Sequence, residues 1–429
     1  MGILVYCDRG GEKLLLGRIE HDRGKVASFA YESDYVHRAR AAQELGLSNR
    51  LPLDAKPYPE QDFGPFFQGL LPEGEVRGAL AQSYQIPRND YLALIERLGC
   101  ESIGALTFAA EDADEREFTP RYEPLVAKTV SALKEHPVRA ATEIARSTRL
   151  SLAGAQSKVA WTLSEGRKAA NSDVSDWLVP YGTAPSTHIV KISHKGEEDL
   201  AANELACSVL AASCGIETAE VSLAPAIDGA IAVKRYDRVW INRNGKRQVA
   251  RLHQEDFCQA LGLYPHYKYQ PEGVEASYPI FAANLIQDTC VNPAADRVEF
   301  AKRLAFNFAV GNSDAHFKNS SLLYNPAWTA RRLAPLYDVT CIPLSGYSTK
   351  MPFDIGEHRE LADIDEKDIL SIALDLDISL DSFDAAVREV VRGMEAPRMQ
   401  EVPSEALPMI DRVLENSRPR IEVLRRVLG

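Results

Sequence analysis

What this sequence lacks narrows it first. Its seven cysteines (Cys7, Cys100, Cys207, Cys214, Cys258, Cys290 and Cys341) are scattered through 429 residues and form no C-x-x-C. An odd count at such spacing excludes a disulfide framework and a zinc cluster, and predicts buried thiols in a reducing cytoplasm. No uninterrupted apolar stretch approaches the roughly 20 residues of a membrane span. Met1-Gly2-Ile3-Leu4-Val5-Tyr6-Cys7-Asp8 has no basic segment ahead of a long apolar run, so it reads as a strand and not as a signal peptide. Positive charge is scarce: 49 Lys and Arg against 61 Asp and Glu give a net charge of −12. That balance argues against binding dominated by attraction to bare nucleic acid. H-E-x-x-H, G-x-S-x-G and the Walker A loop are all missing, and the carboxylates are not paired as in a glycosidase.

What is present is a chain that is 45% hydrophobic, enough for two or three domains with cores. Residues 1–110 read as a small α/β module, with strands near Val5, at Leu14–Ile19, Val26–Tyr31 and Ser102–Phe108. Helices follow at 75–84 and 90–98. The acidic run Glu111–Glu117 reads as a solvated linker, followed by helices within 123–146 broken at Pro137. Strands are expected at Leu150–Trp161, Thr187–Ile192, Val221–Ala224 and Ala230–Tyr236, with an exposed polar loop over Ser164–Ser186 and a helix from Asp199 to Cys214. Beyond Gln254 the pattern turns mainly helical. Asn292 is placed to cap a helix that begins at Pro293 and ends at Gly311.

The most informative stretch follows that helix: Gly311-Asn312-Ser313-Asp314-Ala315-His316-Phe317-Lys318-Asn319. Asp314, Asn319 five residues on, and Asp338 after a short strand follow the order of base, metal ligand and metal ligand in a kinase. Phosphoryl transfer needs hard oxygen ligands for Mg²⁺ and a carboxylate to orient the attacking hydroxyl. Asn319 and Asp338 suit the first task and Asp314 the second, with Lys318 on the transferring phosphate and His316 bracing the loop. Lys191, in a β-branched strand, suits the nucleotide phosphates. Its helix partner is left open between Glu204 and the adjacent Asn203. Ala153-Gly154-Ala155 is a small-residue turn through which backbone N–H groups can approach phosphate oxygens. Lys234-Arg235-Tyr236-Asp237-Arg238 offers backbone to an adenine edge, with Asp237 and Arg238 as a structural ion pair.

Assembled, these motifs resemble the HipA family of bacterial type II toxin-antitoxin serine/threonine kinases. Phe66-Phe67-Gln68-Gly69-Leu70-Leu71-Pro72-Glu73-Gly74 is similar to its F-F-x-x-L-L-P-x-G, and Ser151-Leu152-Ala153-Gly154-Ala155-Gln156-Ser157-Lys158 to its S-x-A-G-A-Q-x-K. His188–Lys191 is similar to H-I-x-K, His253–Ala260 to H-Q-E-D-F-C-Q-A, Gly311–Asn319 to G-x-x-D-x-H-x-K-N, and Pro335–Asp338 to P-x-Y-D. The resemblance implies an α+β, bilobal, protein-kinase-like fold: a mixed N-terminal lobe with an added N-terminal module, and a mostly helical C-terminal lobe. The expected divisions are a module at 1–110, a linker and helices at 111–148, a nucleotide-binding small lobe at 149–250 and a helical catalytic lobe at 251–429.

It further implies ATP and Mg²⁺ as cofactors. Asp314 would be the base, and Asn319 and Asp338 the metal ligands. The nucleotide side would comprise Ala153, Gly154, Ala155, Gln156, Lys158, Lys191, Lys234, Tyr236, His316 and Lys318. Ser151 would be an autophosphorylation site that switches the kinase off, with Ser157 as the competing hydroxyl. The implied partners are a HipB-type helix-turn-helix antitoxin and an aminoacyl-tRNA synthetase modified on a serine. DNA would be met indirectly, through the antitoxin, and no membrane is involved. Two rival readings stand beside this one: a catalytically silent scaffold that bridges an antitoxin on DNA, and a small-molecule kinase on the same fold. The C-terminal arginines Arg418, Arg420, Arg425 and Arg426 read as a solvated helix face.

Overall fold

The computed structural model describes residues 2–21, 27–150, 152, 158–193, 199–227, 229–274, 277–399 and 402–429. It divides into two units. The first comprises Met1–His194, Ala224–Pro265 and Leu323–Ala330; the second comprises Lys195–Leu223, His266–Leu322 and Arg331–Gly429.

The first unit is mixed α/β, as expected. Its N-terminal sheet is antiparallel, in the order Tyr58–Pro59, Ser28–Tyr31, Lys13–Glu20, Gly2–Asp8, Leu106–Ala110. Alternation along Gly2–Asp8 sends Ile3, Val5 and Cys7 into the core, the period of a sheet with one covered face. That core is rich in rings: Phe29, Phe63, Phe66, Phe67 and Phe108 are all buried and mutually tilted or edge-on. A helix over Glu60–Gly69 supplies three of these rings and was not expected from the sequence. Pro65 falls within it and masks the helical pattern.

A second antiparallel sheet of this unit runs through Ala230–Lys234, His188–Ile192, Lys158–Leu163, Trp177–Tyr181 and Arg121–Pro124. The strand at Trp177–Tyr181 corrects the expectation of an exposed loop over Ser164–Ser186: Trp177 is fully buried against Trp161, and its indole N–H donates to Ser172 Oγ at 2.9 Å. Polar flanks concealed a strand whose inward positions are apolar. The acidic run lies inside the first unit, where a 3₁₀ turn at Glu115–Phe118 buries Phe118. Its charged residues remain exposed.

The second unit is mainly helical, again as expected. The helix Pro293–Val310 packs on Tyr278–Thr289, Leu380–Glu395 and Leu407–Val427. Gly393 is required where two helices close together, because a Cβ there would lie 2.6 Å from Cys214 Cα. Two details differ from expectation. Asn292 occupies the N-cap position of Pro293–Val310 without a side-chain capping bond. Arg420 turns inward, with Nε donating to Ala309 O at 3.1 Å, while Arg425 and Arg426 pair with Glu395 and Glu366 at the surface. All seven cysteines are buried free thiols. Among the described residues no helix is long and apolar enough to cross a membrane.

Candidate active site

The stretch 311–319 is built by the end of one helix and held by its neighbours. Gly311 adopts φ +74°, a left-handed conformation that costs a residue with a Cβ about 1–2 kcal/mol, and so ends Pro293–Val310 sharply. Asn312 then turns back, with Nδ2 donating to Asn307 Oδ1 at 3.0 Å, and Ser313 Oγ donates to Ser348 O at 2.5 Å. Asn312, Ser313, His316, Phe317 and Lys318 are buried, whereas Asp314 and Asn319 are half-exposed. A buried loop that keeps a carboxylate and an amide at its surface is arranged for those two groups.

Asp314 is held from two sides. The Tyr269 hydroxyl donates to Asp314 Oδ1, and His316 Nε2 stands 3.8 Å from the same oxygen. The Tyr269 and His316 rings meet edge to face at 5.1 Å. Phe317 stacks on Tyr278 at 4.5 Å, which anchors the 3₁₀ turn Phe317–Asn319. Asn319 Nδ2 donates to the main-chain oxygen of Asp314 at 2.8 Å. That bond fixes the amide and leaves Oδ1, the atom a hard cation takes, without a donor among the described residues.

Asp338 sits in the same unit with φ +58°. A non-glycine residue there is strained by about 1–3 kcal/mol and persists only where its surroundings hold it. They do so at both ends. Leu336 N donates to Glu217 O at 2.7 Å, and Ala219 N donates to Leu336 O at 2.8 Å. Beyond Asp338, Cys341 N donates to Asn203 Oδ1 at 2.7 Å, and Asn203 Nδ2 donates to Cys341 O at 3.0 Å. The Tyr337 hydroxyl, one residue before Asp338, donates to Lys318 O at 2.7 Å, one residue before Asn319. The candidate metal ligands are thereby tied through their neighbours, and their donor atoms are oxygens, which suits Mg²⁺. Asn203, one of the two open partners for Lys191, is committed to the backbone of Cys341. Glu204 beside it is buried.

In the first unit, Lys158 and Lys191 lie directly opposite each other across adjacent antiparallel strands. Lys191 is buried and Lys158 half-buried. Lys234 is paired in register with His188 and is exposed. The Tyr236 hydroxyl donates to Gln254 Oε1, so its side chain is engaged locally. Asp237 and Arg238 form the expected ion pair at 2.9 Å, within a larger buried group of Glu101, Arg235 and Arg251. Ser151, Ala153, Gly154, Ala155, Gln156 and Ser157 lie outside the described residues.

The His253–Ala260 motif is a clamp. His253 stacks on Trp328 at 4.4 Å, and its Nε2 lies 2.7 Å from Leu47 O. Buried Glu255 accepts from Ser48 Oγ at 2.5 Å, from Asn49 N at 3.1 Å and from Tyr324 OH at 2.7 Å. Asp256 and Gln259 form a reciprocal helix cap, and Gln259 Nε2 reaches Phe66 O at 2.8 Å. Sequence reasoning missed Tyr269, which stands in no spacing that periodicity or a motif would single out, and weighed Asn203 only as a partner for Lys191, not as a support of the Cys341 backbone.

Comparison with known proteins bears on the family and the fold. Residues 150–398 match the HipA-like C-terminal domain, and residues 11–109 match the HipA N-terminal domain. The chain is 35% identical to the protein Y4mE of Sinorhizobium fredii over 362 residues, covering 82% of this chain and 81% of that one. It is 30% identical to the serine/threonine-protein kinase toxin HipA of Shewanella oneidensis over 347 residues, covering 77% of this chain and 74% of that one. A solved structure of a Shewanella oneidensis HipA, in complex with HipB and operator DNA, covers 99% of each chain at a TM-score of 0.75 and 23% identity. The fold is therefore the α+β, kinase-like fold of that protein. With both domain matches in chain order and this identity across most of its length, the chain belongs to the HipA family of serine/threonine kinase toxins.

Proposed function

We propose that this protein is an ATP- and Mg²⁺-dependent serine/threonine kinase that acts as a toxin by phosphorylating a protein serine. The observation that supports this reading is the bond from Asn319 Nδ2 to the main-chain oxygen of Asp314, which ties the residue proposed as metal ligand to the backbone of the residue proposed as base. When bound, ATP supplies the transferable phosphoryl group, and Mg²⁺ neutralises charge on its phosphates. Asp314 orients the substrate hydroxyl and accepts its proton. Tyr269 and His316 position that carboxylate. Asn319 and Asp338 hold the metal, and Lys158 and Lys191 hold phosphate oxygens, with Lys318 on the transferring group. Ala153, Gly154, Ala155 and Gln156 cover the nucleotide, and the backbone at Lys234 and Tyr236 serves its adenine.

The same reading takes an aminoacyl-tRNA synthetase as substrate, a HipB-type antitoxin as the neutralising partner, and Ser151 as an autophosphorylation site that limits the enzyme in the cytoplasm. Phosphoserine at 151 would add about −1.5 to −2 charges to a loop that serves an anionic nucleotide. DNA is met through the antitoxin. The divisions at 1–110, 111–148, 149–250 and 251–429 remain our proposal for its functional parts. The test is transfer from radiolabelled ATP to proteins of a cell lysate, followed by phosphosite mapping. Wild type should label a serine substrate and itself, and Asp314→Gln should label neither while unfolding at the same temperature. Equal labelling by Asp314→Gln would overturn the assignment of the base.

A further inference from the structure

The first unit contains a cavity of about 990 Å³, at the upper end of the range for small-molecule sites. Three segments of that unit wall it: the strands carrying Tyr6 and Lys13, the turn carrying Phe118, and the hairpin carrying Trp240 and Arg251. None of the proposed kinase residues lines it.

Its charges are unevenly settled. Lys13 Nζ lies 3.8 Å from the centre of the Tyr6 ring and 5.5 Å from that of Phe118. Among the described residues, no carboxylate forms an ion pair with it. Burial lowers the Lys13 pKa, and the nearby Arg251 guanidinium lowers it further, against an opposing effect of Glu115. Arg251 is itself buried and bonded to Glu101 and to Thr183 O, with its Nε lacking a hydrogen-bond partner. The other acids of the lining are engaged elsewhere. Glu111 pairs with Arg18 at 2.6 Å, Glu165 pairs with Arg247 at 2.6 Å, and Asp8 Oδ1 accepts from Gly11 N at 2.6 Å. The wall thus holds a cation without a close counter-charge, two rings beneath it and the exposed indole of Trp240.

We propose that this cavity is a second ligand site, which binds a small organic anion with a flat, largely apolar body. The anionic group sits at Lys13 and replaces the missing counter-charge. The flat body lies along Tyr6, Phe118 and Trp240, where ring faces provide apolar area at little entropic cost. A cationic ligand is disfavoured beside the Lys13 ammonium, and three of the acids lining the cavity, Asp8, Glu111 and Glu165, already have donors.

The probe is 8-anilinonaphthalene-1-sulfonate, an anion with fused rings, titrated by fluorescence into the full chain with and without excess ATP and Mg²⁺. The expected result is one saturable site whose affinity is unchanged by ATP, falls about tenfold in Lys13→Gln and in Trp240→Ala, and is retained in Lys13→Arg. Lys128→Gln, at an exposed position away from the cavity, should bind as wild type. Thermal unfolding of each variant shows that the fold is intact. Saturable binding of equal strength in Lys13→Gln, displacement by ATP alone, or no saturable binding at all would each overturn the site.

Discussion

Lys158 and Lys191 face each other in direct register on adjacent antiparallel strands. Such neighbours have Cβ atoms about 4.5–5.5 Å apart, and like charges there destabilise a sheet by about 0.2–1 kcal/mol. In the kinase proposed above, both residues serve the polyphosphate of the nucleotide. Charge-assisted bonds of this kind are worth about 1.5–3 kcal/mol, so Lys191→Met should weaken nucleotide binding about 10–100-fold. Calorimetry with ATP and Mg²⁺ measures this. The thermal shift that nucleotide produces in wild type should be lost in Lys158→Met as well as in Lys191→Met.

Tyr269 fixes the Asp314 carboxylate by donating its hydroxyl to Oδ1. Tyr269→Phe keeps the ring contact with His316 and removes only the donor. A misplaced base lowers turnover without loosening the nucleotide, so kcat should fall about tenfold while KM for ATP stays unchanged. A rise in KM for ATP with kcat intact would place Tyr269 in nucleotide binding instead.

The buried ion group of the first unit should make its stability sensitive to acid. Burial pushes the Glu101 carboxyl up, but the guanidinium groups of Arg238, Arg251 and Arg235 outweigh burial and hold it at about 2, below its ordinary 4.5. A depressed carboxyl contributes stability that is complete above its unfolded value and is lost as pH falls through its folded one. Stability should therefore decline between about pH 4.5 and pH 2. Glu101→Gln should flatten that decline and cost about 3–5 kcal/mol at neutral pH, because it leaves buried arginines without their counter-charge. Urea unfolding across pH reads both effects.

Glu255, in the stretch His253–Ala260, serves as a fastening. Three donors converge on its buried carboxylate. Glu255→Ala strands those donors and should cost about 2–4 kcal/mol of stability. In the folded fraction, KM for ATP should remain that of wild type. Lost phosphoryl transfer at unchanged stability would reverse this assignment.

The sequence alone carried the order of chemical groups and most of the helices. The helix Pro293–Val310 was legible to the residue, because Pro and Gly impose backbone angles whatever surrounds them. The spacing from Asp314 to Asn319 and on to Asp338 named the candidate base and metal ligands, because residue type limits which atoms can ligate Mg²⁺ or take a proton. Tertiary structure decided what those groups rest on. Tyr269 reaches Asp314 across 45 positions, and Asn203 reaches Cys341 across 138. No local pattern encodes contacts of that range. Packing also made a strand of Trp177–Tyr181 in a stretch whose polar flanks read as loop, and register alone set Lys158 opposite Lys191. Backbone angles and ligand chemistry are properties of single residues and short spacings, and survive in the sequence. Burial, register and long-range hydrogen bonds are properties of pairs that meet only once the chain has folded.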